Sequence, residues 1–283
     1  MDGFLLIDKP IGMTSRSVCN YIGKIFKTKK VGHIGTLDPF ASGLLIVNIN
    51  KANKAGTFLD DFSKEYIASL VLGVSTDSGD IEGRIIKKED VKTYSKTEIE
   101  EALNSFLGES EQIPPMTSAI HVDGVRLYEL ARQGKEIERK PRKIYINNIE
   151  CLDYQTNILT FKAFVSKGTY IRVLGEDIAK KLGTIGHLNA LRRTKVGSFN
   201  IEEATKLEDI NESSLISIKD VLSRFSDIKK VDEKEELDIK NGKIKYLDYP
   251  TDKDKLLIVN NNDDVIAMYI KEDNRFVFKR GLF

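Results

Sequence analysis

The sequence predicts an α+β fold built around a mixed, largely antiparallel central sheet. Helical and strand patterns interleave along the chain, but several neighbouring strands have connections of hairpin length, which disfavours a doubly wound parallel sheet. After about residue 225 the pattern changes to short apolar runs separated by Asn and Asp turns. With 283 residues, of which 41% are hydrophobic and 31% charged, the chain can bury a sizeable core. We therefore expect an α+β domain followed by a small β-rich module.

The first predicted element is a strand at residues 3–8 (GFLLID), which Lys9 and Pro10 end. Thr14 or Ser15 can cap the helix that follows. Residues 95–98 (SKTE) form a capping box that opens a helix running to residue 106. The other helices of this part are predicted near 54–60 and at 126–133 and 171–182, and the other strands at 44–49, 64–74, 118–122, 145–152 and 158–165.

The C-terminal part has a different pattern of charged and apolar residues. Residues 229–240 carry dense charge of both signs, which predicts a linker or an exposed helix. Strand-like apolar runs follow at 256–259, 265–269 and 276–278. A small all-β module is the simplest interpretation.

Positive charge is concentrated in three segments, although the formal net charge is only +1. The segment 24–30 (KIFKTKK) contains four lysines and no acidic residue, and 139–143 (RKPRK) is also basic. The segment 162–195 has eight basic residues against two acidic ones. Each segment could be an ordinary solvated surface, or the three could form one face that binds a polyanion such as RNA.

Missing motifs disfavour several classes of protein. The two cysteines are far apart and there are only three histidines, so we expect neither a disulfide framework nor a metal site. Glycine-rich nucleotide loops, HExxH and GxSxG are absent. The N-terminus lacks the basic region of a signal peptide, and no apolar run has the length of a membrane span, so we expect a cytoplasmic protein without a membrane partner. Two classes remain. One is an enzyme that uses a carboxylate and no cofactor, and the other is a binding protein.

The segment 32–45 (GHIGTLDPFASGLL) places a single carboxylate, Asp38, among glycines and before a proline. Leu-Asp-Pro commonly opens a turn, because the Asp side chain bonds to the following backbone and Pro fixes φ. The alternative is a nucleophile on a stiff bend, where the glycines allow a substrate to approach the backbone closely. A buried nucleophilic carboxylate would need a cation that keeps it ionised.

Three further residues are candidates for the same site, and each has an ordinary structural alternative. Arg172, at a predicted strand-to-helix junction, is the best candidate cation, or else a helix-surface arginine. Tyr66 could stack on a flipped base, or else pack in the core. His33 could insert into an RNA stack, or else be a capping or core residue.

Several segments match the motifs of one protein family in the same order. Segment 32–45 is similar to a catalytic-aspartate loop, G-H-x-G-T-L-D-P-x-A-x-G-x-L. The other matching segments are 9–15 (KPIGMTS), 64–66 (KEY), 72–83, 112–116 (QIPPM), 126–134 (RLYELARQG), 166–172 and 191–194. On these motifs the sequence resembles the bacterial tRNA pseudouridine-55 synthases, the TruB family, over roughly residues 3–225.

The resemblance implies a pseudouridine-synthase fold with a catalytic cleft in residues 1–225. It places a thumb-like RNA-gripping insertion at 112–143 and a small, possibly shortened PUA-like RNA-binding module at 229–283. The implied reaction converts uridine 55 in the T-loop of tRNA to pseudouridine by base flipping, cleavage of the N1–C1′ bond and rejoining through C5. The implied enzyme needs no cofactor and binds the tRNA T-arm as a monomer without an obligatory protein partner.

The resemblance also implies roles for individual residues. The expected catalytic residues are Asp38 as the nucleophile, Arg172 as its ion-pair partner, and Tyr66, which would stack on the flipped uracil and could act as an acid or base. The other residues expected to contact substrate or RNA are Leu191 beneath the base, Tyr170 supporting the pocket, His33 in the space vacated by flipped nucleotides, and Gly35, Thr36, Lys9, Lys64, Lys167, Arg132 and Arg142.

Three rival functions stay open on the sequence alone. A guide-RNA-dependent synthase of the archaeal and eukaryotic type would rely on partner proteins and on a full C-terminal RNA-binding domain. A noncatalytic tRNA-binding or folding factor would share the basic face but would not need Asp38. An aspartyl-phosphate enzyme would need metal-binding carboxylates near its nucleophile, and segment 32–45 supplies none.

Overall fold

The computed structural model describes residues 1–116, 118, 121–122, 125–126 and 137–283. The helices are α1 (Ser15–Ile25), α2 (Ala52–Ala55), α3 (Lys96–Asn104), α4 (Ile171–Lys181), α5 (Ile218–Ser223) and α6 (Glu233–Lys240). The strands are β1 (Gly3–Lys9), β2 (Val31–Ile34), β3 (Ser42–Ile49), β4 (Lys64–Leu72), β5 (Val74–Thr76), β6 (Ile85–Lys88), β7 (Gly108–Gln112), β8 (His121–Val122), β9 (Val125–Arg126), β10 (Arg142–Gln155), β11 (Ile158–Val165), β12 (Gly186–Val196), β13 (Phe199–Asn200), β14 (Thr205–Lys206), β15 (Asp227–Lys230), β16 (Tyr246–Leu247), β17 (Lys255–Val259), β18 (Val265–Glu272) and β19 (Arg275–Gly281).

The main sheet has the strand order β14–β1–β3–β12–β4–β11–β10–β7, with β2 added to β3 and β13 added to β12. The pairs β1–β14 and β3–β12 are parallel. The pairs β1–β3, β4–β12, β4–β11, β10–β11 and β7–β10 are antiparallel, as are β2–β3 and β12–β13. The predicted mixed, largely antiparallel sheet is therefore confirmed.

Apolar side chains cover both faces of this sheet. In β1, Leu5 and Ile7 pack on one face in the cluster that also contains Ile22 of α1. Phe4 and Leu6 point to the other face, because successive side chains of a strand alternate. The strand is thus buried on both sides, which accounts for its unbroken apolar run.

The C-terminal sheet has the order β15–β17–β18–β19–β16, which confirms a β-rich module. Its Leu257 and Met268 belong to the same apolar cluster as Phe4 of the main sheet and Val221 of α5. Because the two parts share this apolar core, the division into domains 1–225 and 229–283 stays a prediction. Residues 229–240 were predicted as a linker or an exposed helix. Residues 229 and 230 instead end β15, whereas the helix α6 does follow at Glu233–Lys240.

Two helix starts agree with the sequence prediction. Thr14 caps α1, and its hydroxyl accepts a hydrogen bond from the Ser17 N–H at 3.0 Å. Ser95 and Glu98 form the predicted capping box of α3. This helix was predicted to run to residue 106 but ends at Asn104, and Gly108 begins β7.

Strand β12 lies at the centre of the main sheet but was not predicted from the sequence. Its pairing with β4 has irregularities between Leu188 and Ala190 and between Arg193 and Lys195. These shifts break the alternation of apolar and polar residues that identifies a strand. Arg193, moreover, is fully buried, which no hydrophobic pattern predicts.

Two predicted elements fall on the thumb-like insertion. Residues 127–133 of the helix predicted at 126–133 and residues 119 and 120 of the strand predicted at 118–122 lie outside the described residues, as does Arg132. The described part of the insertion contains the short β8–β9 pair. Among the described helices, none combines the length and the apolar character that a membrane span requires.

Candidate active site

Asp38 lies in the connection between β2 and β3, and its neighbours are held by residues that precede it in the chain. The buried Ser15 hydroxyl of α1 accepts a hydrogen bond from the Leu37 N–H at 2.9 Å and donates one to the Leu37 C=O at 3.1 Å. The Gly12 N–H donates to the Pro39 C=O at 2.8 Å. The backbone is therefore fixed on both sides of Asp38.

Asp38 also forms the turn that its sequence context predicts. The Ala41 N–H donates to the Asp38 C=O at 3.1 Å, with Pro39 at the second position of the turn. Proline favours this position because its φ is already fixed near the required value. The turn interpretation and the nucleophile interpretation are compatible, because the turn holds the carboxylate in place.

Lys9 supports this connection from inside the protein. Its side chain is fully buried, and Nζ donates to the C=O groups of Pro10 (2.9 Å), Met13 (2.6 Å) and, at the limit of hydrogen-bond length, Pro39 (3.5 Å). Burial lowers the pKa of Lys9 to about 8, an effect that the Asp38 carboxylate partly opposes. In this arrangement Lys9 ties the end of β1 to the residue after Asp38, so any contact with RNA stays a prediction.

Arg193 of β12 holds the other end of the connection. Its Nε donates to the Leu44 C=O at 2.7 Å, and its Nη2 donates to the Gly35 C=O at 3.0 Å. Gly35 has a φ of +68°, and a Cβ there would lie 3.2 Å from both Arg193 Nη1 and Lys64 Cε. Both the backbone conformation and the available space thus favour glycine at this position.

The predicted pairing of Asp38 with Arg172 is present. Arg172 Nε lies 3.0 Å from Asp38 Oδ2, and Nη2 lies 3.5 Å from Oδ1. Only 5% of the Arg172 side chain is exposed, against 34% of the Asp38 side chain. The carboxylate therefore faces solvent on one side and a buried cation on the other, and Arg172 is not the helix-surface arginine of the alternative interpretation.

A second carboxylate, which the sequence analysis did not select, contacts the same guanidinium. Asp80 Oδ2 lies 3.4 Å from Arg172 Nη1, which also donates to the Ser78 C=O at 2.9 Å. The Ser78 hydroxyl donates to Asp80 Oδ1 at 2.6 Å. Asp80 lies in the segment 72–83 that matched a family motif, which was the only available indication of its role.

Opposing effects act on the charge of Asp38. Burial raises the pKa of this carboxyl above its ordinary value of 3.8, and the neighbouring Asp80 carboxylate acts in the same direction. The Arg172 guanidinium and, more weakly, the Lys9 ammonium lower it. The two cations thus oppose the desolvation that would otherwise favour the neutral acid.

Tyr66 and Leu191 lie on the adjacent strands β4 and β12, in which Ala68 pairs with Leu191. Both side chains are buried, and they belong to one apolar cluster with Leu37 and Phe40 of the Asp38 connection. Tyr66 and Leu191 thus belong to the same apolar core as the residues on either side of Asp38. Their contacts with a base stay predictions.

His33, Thr36 and Lys64 surround the start of the connection. His33 is half-buried in β2, and burial lowers its pKa, which favours the neutral imidazole. Thr36 is exposed. Lys64 is buried and donates to the Phe62 C=O at 2.7 Å, and burial lowers its pKa to about 8. Of these three candidates, Thr36 is the most accessible to a ligand.

The remaining candidates lie towards the insertion. Tyr170 is half-buried directly before α4, and burial raises the pKa of its hydroxyl. Lys167 is exposed and pairs with Asp61 at 2.6 Å. Arg142 is exposed at the start of β10, opposite Gln112. These positions are compatible with RNA contacts, which stay predictions.

Two family models match the chain. A model of the TruB family pseudouridylate synthase N-terminal domain matches residues 23–171, and a model of the tRNA pseudouridylate synthase B C-terminal domain matches residues 172–227. Together they cover the part of the chain that contains the Asp38–Arg172 pair.

Curated relatives align over most of the chain. The tRNA pseudouridine synthase B of Clostridium tetani is 43% identical over 98% of this chain and 94% of its own length. The protein of that name from Clostridium acetobutylicum is 46% identical over 86% of this chain and 84% of its own. Among solved structures, the crystal structure of a Cbf5–Nop10–Gar1 complex gives a TM-score of 0.74 at 23% identity, covering 99% of this chain and 85% of that one. The structural likeness supports the fold.

The titration of Asp38 offers a direct test of these electrostatics. We expect carboxyl-selective NMR to give Asp38 a pKa above 3.8, and the substitution Asp80→Asn to move that pKa downward, because a like charge is removed. Asp77→Asn is the matched control, since Asp77 lies in the same loop but pairs with the exposed Arg84 at 2.9 Å. An upward shift in the Asp80→Asn protein, or equal shifts in both variants, would contradict this account.

Proposed function

The chain belongs to the TruB family of pseudouridylate synthases, and on that premise we propose that it converts uridine 55 in the T-loop of tRNA to pseudouridine. The observation that carries the proposal is the fixed, partly exposed Asp38 carboxylate paired with the buried Arg172. An isomerisation consumes no co-substrate, because the product has the same atoms as the substrate. We propose that the reaction also proceeds without a cofactor.

In the proposed reaction the N1–C1′ bond of uridine breaks, the base turns while it is still bound, and a C5–C1′ bond forms. The proton on C5 is then lost and N1 gains one, so the atoms balance. Asp38 is the proposed nucleophile and Arg172 the group that holds it ionised and in place. Attack on the ribose, attack on the base and elimination across the ribose all need a carboxylate against the nucleoside.

The target base must leave the RNA stack before Asp38 can reach it. We assign Tyr66 to stacking on the flipped uracil and Leu191 to packing beneath it, because both belong to the apolar cluster that includes Leu37. Tyr170 is assigned to the pocket wall, next to Arg172 in the chain. A tight, water-poor pocket would strengthen the electrostatic interactions of Asp38.

RNA of this kind is recognised largely through its shape and its backbone. His33, Gly35, Thr36 and Lys64 are proposed to meet the T-loop near Asp38, with Lys9 beneath them. The basic segment 24–30 leads directly into β2, which carries His33. Lys167, Arg132 and Arg142 are proposed to contact the T-arm from the side of the insertion.

The rival functions differ in what they require. A guide-RNA-dependent synthase would need added RNA and partner proteins, whereas we propose a monomer that acts alone in the cytoplasm. A noncatalytic binding factor gives no reason for the contacts that fix Asp38 and Arg172. An aspartyl-phosphate enzyme would use further carboxylates to hold a metal, whereas Asp80 contacts Arg172.

Mapping of pseudouridine tests the proposed function. The purified protein, incubated with an unmodified tRNA transcript and no other macromolecule, is expected to form pseudouridine at position 55. A transcript with cytidine at that position is the matched control and should stay unmodified. An isolated T-arm hairpin should also react if the T-loop is the recognised element. Binding without modification, or modification at other positions, would overturn the proposal.

Salt dependence tests whether segment 24–30 lies on the RNA face. Lys24 and Lys29 are exposed and line one groove with Arg16. Replacing both lysines with Gln should weaken tRNA binding and reduce the slope of log K against log salt by about one per lysine, because fewer counterions are released.

The matched control for this experiment is the double variant Lys92→Gln, Lys96→Gln. It removes the same charge from lysines that pair with Glu98 and Glu100. Its slope should stay close to that of the unaltered protein. If both double variants give the same slope, segment 24–30 does not contact the RNA backbone.

A further inference from the structure

Gln112, the last residue of β7, uses both ends of its side-chain amide on the backbone of one residue. Its carbonyl oxygen accepts a hydrogen bond from the Tyr170 N–H at 2.7 Å, and its NH2 group donates to the Tyr170 C=O at 3.1 Å. The side chain is buried, with 4% of the residue exposed. A single amide thus pairs with Tyr170 much as a neighbouring strand would.

The residue held in this way stands at the start of the helix that carries Arg172. Tyr170 is the N-cap residue of α4, and its own side chain makes no capping hydrogen bond. Its C=O also accepts the Leu174 N–H at 3.0 Å, which begins the helical ladder. The backbone position of Tyr170 therefore determines where the first turn of α4 begins and where Arg172 projects.

The other end of this short loop is tied to the same pair of strands. The Ser166 N–H donates to the Tyr145 C=O at 2.8 Å, and the Ser166 hydroxyl accepts the Tyr145 N–H at 2.8 Å. Tyr145 lies on β10, which pairs with β7 so that Arg142 is opposite Gln112. The β7–β10 pair thus holds the loop at both ends, and the chain leaves this same pair to form the predicted RNA-gripping insertion.

We propose that Gln112 is a positioning residue for the reaction, which sets the place of Arg172 and through it the orientation of the Asp38 carboxylate. The inference rests on the proposed function. Gln112 itself touches neither Asp38 nor the substrate in this account. Its effect passes through two hydrogen bonds to Tyr170 and the first turn of α4.

The expected consequence of losing these bonds is kinetic. A displacement of a catalytic group by about 1 Å can reduce a rate by about 100-fold. Gln112→Leu keeps a similar volume but has no hydrogen-bonding group, and Gln112→Glu keeps only the acceptor for the Tyr170 N–H. We expect a loss of that order in the single-turnover rate for the Leu variant and a smaller loss for the Glu variant, with tRNA affinity unchanged in both.

The pH profile separates positioning from general destabilisation. The charged groups that act on Asp38 are Arg172, Asp80 and Lys9, with Glu82 nearby. If Arg172 is displaced, it stabilises the Asp38 carboxylate less. The acid limb of the pH–rate profile should therefore move to higher pH. A fall in the folded fraction alone would lower the rate at every pH without moving this limb.

The matched control is Gln155→Leu, which changes the same residue type at the exposed far end of β10. It should leave both the rate and the acid limb unchanged. Three results would each overturn the inference. They are normal rates in both Gln112 variants, weaker tRNA binding without a change in rate, and a lower rate with an unmoved acid limb. If the Leu variant does not fold, the same criteria apply to the Glu variant. An unaltered protein that leaves uridine 55 unmodified would instead reject the proposed function.

Discussion

The arrangement of the site depends on the buried guanidinium of Arg172. Removing a charged group from water is unfavourable by several kcal/mol unless partners compensate, and deleting one partner of a buried pair typically costs about 3–5 kcal/mol. Arg172 has the carboxylates of Asp38 and Asp80 on two sides and the Ser78 C=O as a further acceptor. The position of Asp38 is therefore fixed by the need to neutralise a buried cation, as well as by its own turn.

That requirement brings together segments that are far apart in the chain. The Asp38 connection is held by Ser15 of α1, by Lys9 of β1 and by Arg193 of β12. The parallel strands β3 and β12 can approach this closely only with glycine at position 43. A Cβ at Gly43 would lie 2.3 Å from the Arg193 C=O oxygen. These glycines and buried cations together fix the Asp38 connection on the main sheet.

The sequence predicted the main features of the fold because they depend on local patterns. The burial of β1 follows from its apolar run, and the start of α3 follows from Ser95 and Glu98. The position of β12 could not be found in this way, because its irregular pairing hides the alternation and Arg193 interrupts it. Long-range pairing of strands is not encoded in any short segment.

The site was predicted in a similar, uneven way. The Asp38–Arg172 pair was expected from the need of a buried carboxylate for a cation and from the family resemblance, and the two side chains do meet. Asp80 and Gln112 were not selected, because their roles arise only when distant loops pack together. The hydrogen bonds from Lys9 Nζ to backbone C=O groups inside the protein were not predicted, because residue type alone does not indicate them. The expected contact of Lys9 with RNA stays a prediction.

The central claim is that the Asp38 carboxylate performs the chemistry, and the substitution Asp38→Asn tests it most directly. Asn has nearly the same shape but cannot act as a nucleophilic carboxylate. Single-turnover formation of pseudouridine in an unmodified tRNA transcript should be measured together with the dissociation constant of the tRNA. We predict that the Asn protein binds the transcript but forms no pseudouridine at position 55. Formation of pseudouridine by the Asn protein at a rate comparable to that of the unaltered protein would contradict it.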